Sequence, residues 1–216
     1  MKILGFYAAF VYWTGTCGMA VSSDVLNPIP EFEQSWLLKE RIVPDLVSVI
    51  PRHSLIVTYE KAIVHFGNLM DKFDILDAPI HVAWPSKNNT FYTLIATGSD
   101  PPKKLATVTP EYLHWILGNI PGKEWRKGEN IKKYQGLLTG FHFGIYRLVF
   151  FMFEQPRKIL NMTVNLVRSE NKADEEPWHF STKNFSKTYG LGDPIALNYC
   201  VLDFNVTMPW DDFTET

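Results

Sequence analysis

The sequence predicts one β-rich domain with a few short helices, and three observations carry that reading. Short segments rich in Val, Ile, Tyr, Phe and Trp recur between prolines and glycines at 54–59, 62–66, 80–84, 91–97, 112–120 and 144–155. Such residues fit a pleated, half-buried surface. In the first segment Leu55, Val57 and Tyr59 fall on one face and Ser54, Ile56 and Thr58 on the other, which suits a sheet covered mainly on one side. The run 145–153 is apolar on both faces apart from Arg147, as a strand in the middle of a packed sandwich would be. A helix is the competing reading of so apolar a run, and its aromatic and β-branched content, with Gly144 at its start, favours the strand. As the one charge in a buried strand, Arg147 is expected to meet a carboxylate or backbone carbonyls.

Taken in order, the chain begins with Lys2 and an apolar run at 3–13, after which 14–20 become smaller and more polar. This is the layout of a signal peptide, expected to span 1–20, with Gly18 and Ala20 at the positions a signal peptidase reads. The run falls short of the roughly 20 apolar residues of a membrane span, so no transmembrane anchor is expected in the mature chain. A mitochondrial address is the alternative, disfavoured because the first arginine is Arg41 and such presequences are Arg-rich. Asn88, Asn161, Asn184 and Asn205 each open an Asn-x-Ser/Thr motif. Each alone is a weak signal, but four behind a leader predict a secreted glycoprotein with these asparagines on the surface.

Residues 21–41 read as an N-terminal arm, extended through Pro28 and Pro30 as far as residue 33, with a short helix at 35–41 capped by Ser35. The domain proper is expected at 42–205 and a C-terminal tail at 206–216. Near its end 181–189 reads as a helix, capped by Ser181 or Thr182 and ended by Gly190.

Charge and motifs exclude several functions. The chain carries 21 basic and 23 acidic residues for a net charge of −2, which argues against nucleic acid as a partner. The basic cluster Lys123, Arg126, Lys127, Lys132 and Lys133 is interleaved with Glu124 and Glu129 and reads as a solvated loop. Cys17 leaves with the leader, so Cys200 stands alone in an apolar stretch as a buried, inert thiol. The fold is then held by its core. No nucleophile elbow, zinc-protease, P-loop or paired-cysteine pattern occurs. The six histidines lack metal-ligand spacing. No catalytic residue, metal or cofactor is expected.

Read together, the segments resemble the phosphatidylethanolamine-binding protein family. The resemblance runs through Ile42-Val43-Pro44-Asp45, Pro51, Tyr59, Val64, Gly67-Asn68, Pro79 and Trp84. It continues through Tyr92-Thr93-Leu94, then His114-Trp115 to Asn119-Ile120-Pro121-Gly122, then Gly144-Ile145-Tyr146-Arg147. It ends in Phe180-Ser181-Thr182, Phe185, Tyr189-Gly190-Leu191-Gly192 and Pro194. It implies an antiparallel β-sandwich with small helices and a shallow anion pocket at one end.

The resemblance places a ligand site at Asp100, His114, Tyr146, Trp84 and Gly136; separately, His142, four residues before Tyr146, could supply an imidazole, a solvent-facing histidine in the 140–144 turn being the alternative. This sequence departs from the family there. The family's Asp-Pro-Asp-x-Pro is Gly98-Ser99-Asp100-Pro101-Pro102, so the first carboxylate is gone. The histidine of the family's Gly-x-His-Arg is Tyr146, and the tyrosine two residues later is Leu148. A phosphate-like group needs donors, and Tyr146 offers one hydrogen bond but no positive charge near neutral pH. The leading expectation is a secreted binding protein for a small anionic or phospholipid head-group ligand, with a protein partner as a further route of action. The alternatives are an interaction module with a degenerate pocket, or inhibition of a protease or kinase cascade by family analogy. The spelling Glu111-Tyr112-Leu113-His114-Trp115 also resembles a branch of the family found in a mitochondrial ribosomal protein, where the domain serves assembly.

Overall fold

The structure is a computed structural model that describes residues 28–99, 111–136, 144–164 and 180–204. The leader, the tail 206–216, Asp100, His142 and Asn205 lie outside the described residues. Two helices come first, α1 (Glu31–Lys39) and α2 (Ile42–Asp45), and a third, α3 (Thr182–Tyr189), comes late. The strands are β1 (His53–Ser54), β2 (Ile56–Thr58), β3 (Asn68–Leu69), β4 (His81–Ala83), β5 (Phe91–Ser99), β6 (Tyr112–Pro121), β7 (Glu129–Lys132), β8 (Ile145–Gln155) and β9 (Ala196–Asp203).

The main sheet runs β1-β9-β8-β5-β6-β7, with β3 also pairing β9, and β2 and β4 form a separate ribbon. The four long strands are antiparallel neighbours, while β1 and β3 join β9 in parallel. Strand alternation divides the core in two. Tyr92, Leu94, Phe150 and Met152 pack under the ribbon, where Leu55, Val57 and Tyr59 close over them. On the other face Ile95, Val149, Phe151 and Phe153 pack under the helices, against Leu37, Ile42 and Phe185. β8 lies between β5 and β9 and is buried on both faces, as its apolar run predicts.

Arg147 meets the expected partner: its guanidinium donates to the Glu40 carbonyl, and its Nη1 lies 3.8 Å from the Glu40 carboxylate. The C-terminal helix also starts and stops as predicted. The Ser181 hydroxyl accepts from the Asn184 N–H, and Gly190 ends the helix in the left-handed conformation.

Several local expectations are corrected. The first helix begins at Glu31, not at Ser35, which lies inside it with its hydroxyl turned back onto the Phe32 carbonyl. Pro30, extended, supplies the start. Ile29 and Leu37 are buried in the helix-side core, so the described part of the arm packs onto the domain. The 62–66 segment forms one bridge, Thr58 with Ile63, and then reverses at Phe66 and Gly67, both at positive φ. The basic stretch after Lys123 holds a 3₁₀ turn and edge strand β7, in which Glu129 and Asn130 are exposed and Lys132 is half-buried and donates to the Gln135 side chain. β9, which has no clear alternation because Asn198 interrupts it, lies well inside the sheet. Asn198 donates to the Leu55 and Val64 carbonyls and accepts from the Phe66 N–H, tying the ribbon side to the sheet.

Candidate functional site

The site is set by a bulge in β6. The register passes from Ala96–Trp115 to Thr97–Leu113, leaving His114 as the extra residue, and such a bulge re-aims the side chain it carries. His114 is fully buried. Its Nδ1 lies 2.6 Å from the Gln135 carbonyl, and the Gln135 N–H donates back to the His114 carbonyl at 3.0 Å. A carbonyl only accepts, so Nδ1 carries the proton. In the neutral ring Nε2 is then an acceptor. The Tyr146 hydroxyl, from β8, supplies its proton at 2.7 Å.

Tyr146 reaches this position because residue 98 has no side chain. A Cβ on Gly98 would lie 1.6 Å from the Tyr146 hydroxyl oxygen and 2.1 Å from Cζ. The phenol therefore fills the volume that a side chain at position 98 would take. Tyr112, 4.7 Å from the His114 ring, and Phe204, 6.3 Å from the Tyr146 ring, close the cluster with aromatic contacts. Leu148, next on the same face, is fully buried. Gly136 has its own steric reason: a Cβ there would lie 2.5 Å from the Leu76 carbonyl. That close approach keeps the 134–136 segment, and with it the Gln135 carbonyl, against His114.

The structure thus brings together His114, Tyr146 and the segment ending at Gly136. It does not bring Trp84 to them. Trp84 stacks edge-on against Tyr92 at 5.4 Å, and Tyr92 pairs with Glu154, eight residues along β8 from Tyr146, or roughly 26 Å of strand. Asn88, Asn161 and Asn184 are all exposed, as carbohydrate acceptors must be.

Sequence reasoning treated Gly98 and Tyr146 as separate losses, and the structure makes them one exchange. The readable signal was a smallest-residue and a large-residue change inside one pocket. It also missed Glu111. This carboxylate is buried just before β6 and accepts from the Thr182 N–H at 2.9 Å and from the Thr182 hydroxyl, at the first turn of α3. Burial pushes its carboxyl up to about 7, against the opposing pull of the Thr182 and Thr97 hydrogen bonds and of Lys183. By contrast the Cys200 thiol is buried as expected, and burial pushes it up to about 12, which disfavours the reactive thiolate. Among the described residues no cluster of His, Cys, Asp and Glu is placed to hold a metal, and no helix is long and apolar enough to cross a membrane.

The fold has clear counterparts. A carboxypeptidase Y inhibitor solved with its cognate proteinase superposes with a TM-score of 0.65 at 17% identity, over 80% of this chain and 95% of that one. The phosphatidylethanolamine-binding protein from Plasmodium vivax gives 0.64 at 18% identity, over 82% and 98%. In sequence, a 26 kDa secreted antigen of Toxocara canis is 30% identical over 159 residues, 73% of this chain and 59% of the antigen. The chain thus spans about three-fifths of the antigen's length. A putative odorant-binding protein A5 of Drosophila melanogaster is 27% identical over 164 residues, 75% of this chain and 76% of that protein. No protein-family model matches the chain.

Fold and site define a β-rich domain with a polar cluster at one end of the main sheet. With the collinear motifs from Ile42 to Pro194, the chain resembles the phosphatidylethanolamine-binding protein family, and it has that family's fold.

Proposed function

We propose that this is an exported, non-catalytic binding protein that acts on a partner through its surface, its head-group pocket being filled by its own Tyr146. The carrying observation is the phenol seated over Gly98 with its hydroxyl on His114 Nε2. An anion entering beside His114 would have to displace that hydroxyl and leave buried polar groups to be paired again, a cost of about 1–3 kcal/mol per group. Action on a protein is supported by the inhibitor of the same fold solved with its proteinase. Export is supported by the name of the secreted antigen and by the exposure of the three described Asn-x-Ser/Thr asparagines.

Calorimetric titration with inorganic phosphate and with phosphorylethanolamine tests the pocket. Wild type should give no saturable heat, and Tyr146→His should gain binding that strengthens as pH falls and the imidazole charges. Saturable binding by wild type that His114→Ala abolishes would restore the head-group reading and overturn this one. Expression in a secretory host tests export: the chain should reach the medium beginning near Val21.

A further inference from the structure

At the opposite end of β8 from Tyr146 lies a groove of about 580 Å³, between the segment that follows α2, one side of α3 from Lys183 to Lys187, and the loop after α3. That volume falls within the roughly 300–1,000 Å³ of small-ligand sites. Its lining divides by chemistry. Val47, Phe153 and Pro194 are buried and apolar, while Lys187 and Asp193 are exposed and polar. Asn184 lines the same groove and is itself exposed. It is the acceptor of the Asn184-Phe185-Ser186 motif. Asn88 and Asn161, the other described acceptors, do not line it.

From this juxtaposition we propose that the groove is the seat of an N-linked glycan on Asn184, whose first N-acetylhexosamine folds back onto the protein. The reading rests on the export proposed above. A pyranose presents one face of C–H groups and an edge of hydroxyls, which match an apolar floor and a polar rim. The tether is part of the argument. A sugar joined to a residue that lines the groove meets it at a high effective concentration, so a contact too weak to hold a free saccharide still closes. Neither backbone contact of Asn184 involves its side chain: its N–H donates to Ser181 and its carbonyl accepts from Thr188. The amide nitrogen is therefore available for modification without loosening α3.

The test uses the full chain secreted from a glycosylating host. Native protein is treated with a peptide-N-glycosidase, and release is followed site by site by mass spectrometry. Cleavage tracks the open population, so release at Asn184 should be about tenfold slower than at Asn88 and Asn161. All sites should be released alike after denaturation. Asn184→Gln should lower the melting temperature of the glycosylated protein. The same substitution in unglycosylated protein from bacteria should leave it unchanged, which separates the sugar from the side chain. Equal release rates at the three sites, an unmodified Asn184 beside occupied Asn88 and Asn161, or an equal thermal effect in both hosts would each overturn the proposal. A chain retained in the cell without sugar at any site would instead overturn the export reading on which it rests.

Discussion

Glu111 and His114 lie three residues apart at the start of β6, both buried, and their surroundings treat charge in opposite ways. Glu111 keeps an ionisable carboxylate and is met by two donors from Thr182. Beside His114, position 98 is a glycine, and the neighbouring strand offers the phenol of Tyr146. A buried carboxylate survives where the chain places donors against it, and is dispensable where an aromatic ring both fills the volume and supplies the hydrogen bond. The His114–Tyr146 cluster and the latch of α3 thus lie close together along one strand, the first joined to its neighbour by a phenol and the second by a carboxylate that titrates.

The strongest way to break this contrast is to return a carboxylate to the pocket. Gly98→Asp puts a Cβ 1.6 Å from the Tyr146 hydroxyl, so ring or backbone must move, and the loss should exceed about 4 kcal/mol, the range of the severest overpacking and buried-charge changes. Adding Tyr146→His to the same chain clears the volume and offers the new carboxylate a partner. Most of the stability should then return, giving a large favourable coupling in a double-mutant cycle measured by urea unfolding. Additive losses in the two variants would mean that the exchange at 98 and 146 is not reciprocal.

The Glu111 side of the contrast is read through pH. Its carboxyl titrates near 7 in the folded chain against an ordinary 4.5, so the folded state holds the proton more tightly than the unfolded state. Its contribution is fully present below about pH 4.5, falls as pH rises through 7, and is flat above. The total change is about 3–4 kcal/mol. Glu111→Gln keeps an oxygen for the Thr182 N–H and removes the titration. The variant should therefore show a flatter stability curve between pH 4.5 and 8, and exceed wild type at pH 8. A variant curve parallel to that of wild type would assign the pH dependence elsewhere.

How far the sequence could anticipate all this depends on whether a feature is periodic or pairwise. β8, α3 and the partnering of Arg147 follow from alternation, capping and the cost of a lone buried charge, all local rules. β9 was hidden because Asn198, a polar residue in the middle of a core strand, is retained to satisfy backbone groups of a segment more than 130 residues away. Trp84 was drawn toward the pocket by the resemblance, yet β4 delivers it to the far end of β5. The Gly98–Tyr146 exchange is likewise pairwise. Both departures are visible in the sequence, but their meeting depends on the β5–β8 register that sets Gly98 against Leu148.

The smallest effect sharpens the same comparison at α3, where two devices share one helix start. Glu111 holds the Thr182 N–H, and Ser181 accepts from the Asn184 N–H one turn in, at a longer 3.3 Å. Removing a serine cap costs about 0.5–2 kcal/mol, and the length of this bond places Ser181→Ala at the low end, about 0.5–1 kcal/mol. A hydroxyl does not titrate in this range, so the loss should be the same at pH 5 and pH 8, whereas the effect of Glu111→Gln changes between them. Both variants measured by chemical unfolding at the two pH values therefore separate a neutral cap from a titrating latch. If the cost of Ser181→Ala grew with pH in step with ionisation of Glu111, the two groups would have to act as one coupled cap, and the carboxylate could no longer be treated as a separate device.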